Sequence, residues 1–335
     1  MKIVVNIALL LLSLWIGGCS KDSLGVETPE VQNHVTILFS LSGVGDNGYN
    51  DLALTGVLTA QRDNDIELHL LYPTSQEEAG EFISDWVDYG SSEGKKSLLI
   101  LASSDYETLV EEYIPDDVLE SRDVLLFESK NQELNVSKFM ISMYGTSYLA
   151  GAITPVFGEN AAVITANDFD STINDAAQGF YDGFIYGGGG GYVRESLSDS
   201  WDGYAMSSEA YILTAELSKQ ASFIFPLAGG SNLGVFRYTR DYPDGIYTSG
   251  VDVDQAGYST QVAFSVMKHL DLLLEDYIDM WLNDITLPRD KVYGMESGYI
   301  ELSLSPNYQE LCSDRYNTYI NQAILKEQEY EGDDI

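Results

Sequence analysis

The chain has 335 residues, 53 of them acidic against 17 basic, for a formal net charge of −36. A surface this negative repels nucleic-acid phosphates and anionic lipid headgroups, so neither is expected as a charge-recognised partner. With 44% hydrophobic residues the composition supports packed cores rather than disorder, and the length favours two domains over one.

The N-terminus reads "MKIVVNIALLLLSLWIGGCSKDS": one early Lys, an apolar run from Ile3 to Ile16, then small residues. The run is shorter than the roughly 20 residues that span a bilayer, and its flanks are those of a secretory signal over residues 1–18. "IGGC" resembles a bacterial lipobox, which implies cleavage before Cys19 and lipidation of its thiol. Residues 19–33 are polar, carry no apolar period and are expected to form a flexible tether. Ser20 after the lipid-bearing Cys favours the outer membrane.

Apolar strand-like runs then alternate with helical patterns. The strands include "VTILFS", "IELHLLYP", "SLLILA", "VLLFES", "FMISM", "AAVITA", "SFIFPLA" and "GIYTSGVD". Between them lie helical segments such as "DLALTGVLTAQRD", "QEEAGEFISDWVDYG", "INDAAQGFYDGFIYG" and "YSTQVAFSVMKHLDLLLEDYIDMWL". Repeated alternation of this kind argues for α/β architecture with two doubly wound parallel sheets. The glycine run Gly187–Gly191 is read as a flexible connection, since no Lys-Ser/Thr follows it as in a phosphate loop.

"SGVGDNGYND", Ser42 to Asp51, leaves the first strand and leads into a helix. In open α/β sheets ligands bind beyond the carboxyl ends of the strands. Glycine there lets backbone N–H groups approach a ligand, while Asp and Asn supply acceptors and donors. The stretch therefore suits a binding loop; equally, it suits a plain turn with Asp46 or Asn50 capping the helix. The three histidines, His34, His69 and His269, show no metal-binding spacing. Once Cys19 carries lipid, Cys312 is left alone, so neither a disulfide, a metal site nor a cofactor is expected.

Five segments in order resemble the basic membrane protein family of bacterial lipoproteins, whose members include purine-nucleoside-binding proteins of ABC importers. Asp46 to Asn50 is similar to the family's Asp-Lys-Ser-Phe-Asn, and Ser147–Gly151 to its Tyr-Leu-Ala-Gly helix start. Phe225–Phe236 resembles Ala-Gly-Gly-Thr-Gly-Leu-Gly-Val-Phe, and Gly250–Gln255 resembles Gly-Val-Asp-Ser-Asp-Gln. Met267–Ile278 resembles the helix that opens Val-Lys-Arg-Val-Asp. The resemblance covers nearly the whole mature chain. It departs at Asn47 and Gly48, where the family has Lys and Ser, and around Gly145, where an acidic residue is replaced. These departures bear on ligand identity more than on fold.

The resemblance implies a type I periplasmic-binding-protein fold, two α/β lobes around a hinged cleft, with three crossings near Gly145, Tyr258 and Asp290. It places 34–144 plus 259–290 in the N-terminal lobe, 145–258 plus 291–325 in the C-terminal lobe, and an acidic tail at 326–335. Carried over by position, Asp46 and Asn50 would face the polar edge of a base. Tyr49 and Trp201 would stack on its two faces, and Gly229 or Gly230 would admit a sugar close to the backbone. Asp252 would accept from a ribose diol, Lys268 would donate to a sugar oxygen, and Asp105 is a candidate by position alone. With Asp46, Asp252 and Asp105 against one Lys, a phosphate would be repelled, so an uncharged or cationic ligand is expected. The implied function is that of a lipid-anchored, monomeric, non-enzymatic binding protein handing a purine-nucleoside-like molecule to an ABC permease. A sensor or interaction lipoprotein that keeps the fold without import remains the alternative.

Overall fold

The structure is a computed structural model and describes residues 33–89 and 95–333. The leader, Cys19, the tether up to residue 32 and the last two residues lie outside the described residues. In chain order the first half runs β1 (Asn33–Leu38), α1 (Tyr49–Asp63), β2 (Ile66–Leu71), α2 (Gln76–Tyr89), β3 (Ser97–Leu101), α3 (Glu107–Tyr113), α4 (Asp116–Leu119), β4 (Asp123–Phe127) and β5 (Ser137–Ile141). There follow α5 (Tyr144–Ile153), β6 (Asn160–Thr165), α6 (Ser171–Tyr186), β7 (Gly191–Ser196), α7 (Ser207–Leu217), β8 (Phe223–Leu227), α8 (Asn232–Asp241) and β9 (Tyr247–Asp252). The chain ends with β10 (Val262–Lys268), α9 (Leu270–Leu282), β11 (Lys291–Tyr293), β12 (Ile300–Leu304) and α10 (Gln309–Asp333).

Among the described residues the strands form two six-stranded sheets, ordered β11-β5-β4-β3-β1-β2 and β12-β10-β9-β8-β6-β7. Every pairing is parallel except β10 with β12. Each sheet buries both faces, which is why its central strands are continuously apolar. On β3, Leu98 and Ile100 point to the core that includes Val57 and Leu274, whereas Leu99 and Leu101 point to Ile83 and Trp86 on the other face. In the second lobe Val163 and Phe225 share a core with Phe180, and Ile164 and Ile224 share one with Ala210 and Val235.

The crossings between lobes differ from expectation at two places. β10 pairs with β9 and β12 in the second sheet, so the chain leaves that lobe at His269 rather than near Tyr258. Only from α9 onward, which packs on α1, does the expected 259–290 block belong to the first lobe. The β-rich run "VAFSVMK" and the amphipathic helix after it are contiguous and apolar, and so read as one helical segment. β11 pairs with β5 in the first sheet, which moves the third crossing from Asp290 to beyond Tyr293. The expected acidic tail is the end of α10. There Glu327 is 5% exposed, and its carboxylate accepts from Met295 N–H at 2.7 Å.

The glycine run is a packed turn rather than a flexible connection. A Cβ at Gly187 would lie 2.5 Å from the Ala152 carbonyl oxygen, and one at Gly189 would lie 2.4 Å from the Phe184 ring.

Candidate functional site

The carboxyl ends of the two sheets face each other across a cleft, and the loops leaving the strands line it. Ser40–Gly48 comes from β1, Ser103–Asp105 from β3 and Glu128 from β4. From the second lobe come Asp170 after β6, Trp201–Tyr204 after β7, Gly229 after β8, Asp252 at the end of β9 and Lys268 at the end of β10. The space open to the centres of water molecules is about 110 Å³, room for several waters or a small ligand.

The first loop is built by its own polar side chains. Asp46 accepts from the N–H groups of Gly48 at 3.0 Å, Asn50 at 2.9 Å and Asp51 at 3.4 Å, and from Asn50 Nδ2 at 2.9 Å. Asn50 accepts from Ser40 N–H at 3.1 Å and donates to the Ser40 and Ser42 hydroxyls at 3.0 and 3.1 Å. A carboxylate has about four acceptor sites, so those of Asp46 are occupied within the loop, and Asn50 is likewise occupied. Both residues line the cavity, yet their hydrogen-bonding atoms shape the loop and its helix start instead of pointing at a base.

Gly48, one of the departures from the resemblance, faces the opposite lobe closely. A Cβ there would sit 3.1 Å from Asp252 Oδ2, a carboxylate of the opposite lobe. Asp252 itself holds a left-handed backbone, φ 71°, uncommon for a residue with a side chain. Burial pushes its carboxyl up to about 6, with Asp46 and Glu128 adding to the effect and Lys268 opposing it. Asp105 is also pushed up to about 6 by burial, with the charge of Asp170 adding and a Ser103 hydrogen bond opposing.

Lys268 does not offer a free ammonium. Its Nζ lies 2.6 Å from Glu128 Oε1 of the other lobe, with the two side chains 4% and 7% exposed, and 5.1 Å from the centroid of the Tyr49 ring. Burial alone would lower its pKa, but Glu128 and Asp252 outweigh burial and raise it, so the ammonium stays charged. Glu128 Oε2 in turn accepts from Ile141 N–H at 3.1 Å. The lobes are further bridged by Gln255 Nε2 donating to the Asn47 carbonyl at 3.2 Å and by the Tyr258 hydroxyl donating to Asn47 Oδ1 at 2.8 Å.

On the second lobe, Trp201 and Tyr204 stack with centroids 6.1 Å apart and planes 16° apart, and Phe169 meets Trp201 edge-on at 5.1 Å. The Tyr204 hydroxyl donates to Asp170 Oδ2 at 2.6 Å, while Asp170 Oδ1 caps α6 by accepting from Thr172 N–H at 3.0 Å. Burial raises the Tyr49 and Tyr204 hydroxyls well above their ordinary range, helped for Tyr49 by Glu128 and for Tyr204 by Asp170. Both remain hydrogen-bond donors at neutral pH.

Seven of the eight sequence-derived positions thus line one cavity: Asp46, Tyr49, Asn50, Asp105, Trp201, Asp252 and Lys268. Gly230 is not among its walls. Of the two glycines expected there, Gly229 lines the cavity, and a Cβ on Gly230 would meet the Tyr204 carbonyl oxygen at 3.2 Å. Sequence reasoning missed Glu128, Asp170, Thr172 and Tyr204. Glu128 and Asp170 each sit just past a strand's carboxyl end, the same signal that singled out Asp105. Among the described residues, five carboxylates (Asp46, Asp105, Glu128, Asp170 and Asp252) and one ammonium line the cavity. Among them also, Tyr49 Oη, Asp105 Oδ1 and Thr172 Oγ1 are shielded from solvent without a hydrogen-bond partner.

A family model described as ABC transporter substrate-binding protein PnrA-like, Bmp, matches residues 34–332. A search of curated proteins returns no match. Among solved structures, a solute-binding protein of an ABC transporter system from Aeropyrum pernix K1 superposes with a TM-score of 0.70 at 16% identity, covering 89% of this chain and 86% of that one. A transcriptional activator of the comK gene from Bacillus halodurans gives 0.64 at 20% identity, covering 86% and 97%. An ABC transporter solute-binding protein from Burkholderia graminis C4D1M, solved with D-arabinose, gives 0.61 at 12% identity, covering 83% and 97%. At these identities the likeness establishes the fold, two parallel-sheet α/β lobes of the type I periplasmic-binding-protein kind.

Proposed function

This chain belongs to the Bmp family of PnrA-like ABC transporter substrate-binding proteins, and on that premise we propose that it captures a neutral or cationic nucleoside-like molecule in the interlobe cavity. It carries out no covalent chemistry, is anchored outside the cytoplasm through a lipid on Cys19, and passes its ligand to an ABC permease. The observation that carries this reading is the cavity's inventory. Tyr49 Oη, Asp105 Oδ1 and Thr172 Oγ1 are shielded but unpartnered, beside the rings of Tyr49, Trp201 and Tyr204 and next to Asp252. A buried polar atom without a partner costs about 1–3 kcal/mol, so a ligand offering both donors and acceptors recovers what the protein alone leaves unmade.

In this reading Trp201 and Tyr49 flank a planar base, with Tyr204 backing Trp201. Asp105 and Thr172 address its polar edge. Asp252 accepts from a sugar diol and Gly229 lets the sugar approach. Lys268 holds the two lobes together through Glu128. Stacking contributes about 1–3 kcal/mol per ring by analogy with single-strand binders, and each hydrogen bond to a charged group about 1.5–3 kcal/mol. Two stacks and two such bonds reach the roughly 8 kcal/mol of micromolar binding before ordering costs. Phosphate is disfavoured because the cavity's carboxylates outnumber its one ammonium.

The test is thermal stability of the mature protein from Val31 onward with adenosine, guanosine, inosine, the free bases and AMP. At a hundred times its dissociation constant a ligand stabilises by about 2.7 kcal/mol. A nucleoside is expected to raise the melting midpoint, and AMP to leave it unchanged. A well-folded protein that no nucleoside shifts sinks the ligand class.

A further inference from the structure

At the opposite end of the first sheet from the cleft, the structure assembles a cluster that the sequence scatters: His34 on β1, and Glu67 and His69 on β2. In the parallel pairing His34 is the partner of Glu67 and Thr36 the partner of His69. Paired residues of neighbouring strands project to the same face, and so do residues two apart on one strand. His34 Nδ1 lies 3.2 Å from Glu67 Oε2, and His69 Nε2 lies 3.2 Å from Glu67 Oε1. One donor atom from each of the three side chains lies within 4.8 Å of the other two. The imidazoles sit 6.1 Å apart, and the Tyr89 ring meets His34 edge-on at 6.4 Å.

His34 is 9% exposed, and among the described residues neither of its ring nitrogens has a hydrogen bond of acceptable geometry. A buried imidazole aimed at a carboxylate and a second imidazole, with its own nitrogens unpartnered, is short of one electrophile. We propose that His34, Glu67 and His69 bind a divalent ion of the zinc class, with water completing the coordination. Two imidazoles and a carboxylate are the donor set of open zinc sites, and zinc bonds to N and O of about 2.0–2.2 Å place tetrahedral ligands about 3.3–3.6 Å apart, so each imidazole already stands at ligand spacing from one Glu67 oxygen. Imidazole nitrogen selects zinc, nickel and copper over calcium and magnesium. The nearby Lys96 is directed elsewhere: its Nζ donates to the Trp281 and Leu282 carbonyls at 2.7 and 3.1 Å and pairs with Asp284. β2 is the edge strand, so the ion would join an otherwise open sheet edge to β1. The site lies roughly 20 Å from the cleft by strand rise along β1, so binding there is independent of the ligand.

The experiment is zinc titration of the metal-free mature chain by calorimetry, with millimolar calcium present to occupy surface carboxylates. Cobalt substitution is followed by visible absorption. His69→Ala and Glu67→Gln are the variants of choice, since both side chains are about half exposed and tolerate replacement. One zinc per chain, affinity lost tenfold or more in each variant, and cobalt bands that vanish in both support the site. No calcium-resistant zinc binding, or binding unchanged in both variants, overturns it and leaves the three residues as polar neighbours on the sheet.

Discussion

Replacing Lys268 with Met tests how the cleft is held. The Lys268–Glu128 pair is 2.6 Å long, buried at both ends, and joins β10 of one lobe to the end of β4 of the other. Deleting one partner of such a pair costs about 3–5 kcal/mol, because the other charge stays buried and uncompensated. Here Asp252 loses the same counter-charge. With roughly 300 ordered residues and an unfolding entropy of about 2.1 cal/mol/K per residue, 1 kcal/mol moves the midpoint by about 1.6 °C. Lys268→Met should therefore melt about 5–8 °C below wild type at pH 7.5, followed by circular dichroism. The deficit should shrink at pH 5.5, where Asp252, pushed up to about 6 by burial and deprived of Lys268, is mostly protonated. Glu128→Gln in the same chain should recover most of the loss, since an amide oxygen can still accept from Ile141 N–H. A single variant within 2 °C of wild type, or a double variant worse than the single, would refute the view that Lys268 is a buried strut.

Two more outcomes can be checked. Asp252 carries a carboxyl held near 6 against an ordinary 3.8, so the ligand-free folded form binds the proton more tightly than the unfolded chain, and its stabilising contribution fades as pH rises from about 4 to about 6. Asp252→Asn should flatten that part of the stability profile and melt higher than wild type at pH 7.5 while binding ribosides more weakly; an unaltered profile removes the assignment. Gly183→Ala, ordinarily favourable within a helix by about 1 kcal/mol, should instead destabilise by more than the usual 1–3 kcal/mol of overpacking. The reason is that its Cβ would land 1.9 Å from the Tyr148 carbonyl oxygen, where α5 and α6 touch. A urea midpoint equal to wild type would argue against that contact.

Much of the architecture was legible because its causes are local. Apolar runs such as "SLLIL" mark strands covered on both faces, glycine and Asp/Asn clusters mark the strand ends, and these ends are where an α/β sheet gathers its ligand site. Asp105 was reachable by that route, whereas Tyr49 and Asp252 were placed by the resemblance to the family. The lobe crossings were not legible, since β10 and α9 are contiguous, both apolar, and distinguished only by the neighbours they pack against. Nor were the roles of Lys268 and Asp46. Side-chain type suggests what a residue can do, but its partners decide what capacity remains, and Glu128 and the loop's own N–H groups had already claimed these two.

By itself the sequence determined the strongly negative charge, the α/β alternation and the positions where strands end, the last two being properties of residues near one another in the chain. Tertiary structure alone decided which strand joined which sheet, that Glu128 and Asp170 would complete the cleft from opposite lobes, and that His34 would meet Glu67 and His69. Those juxtapositions depend on strand register and on burial, free energies that come into being only when distant segments are packed together.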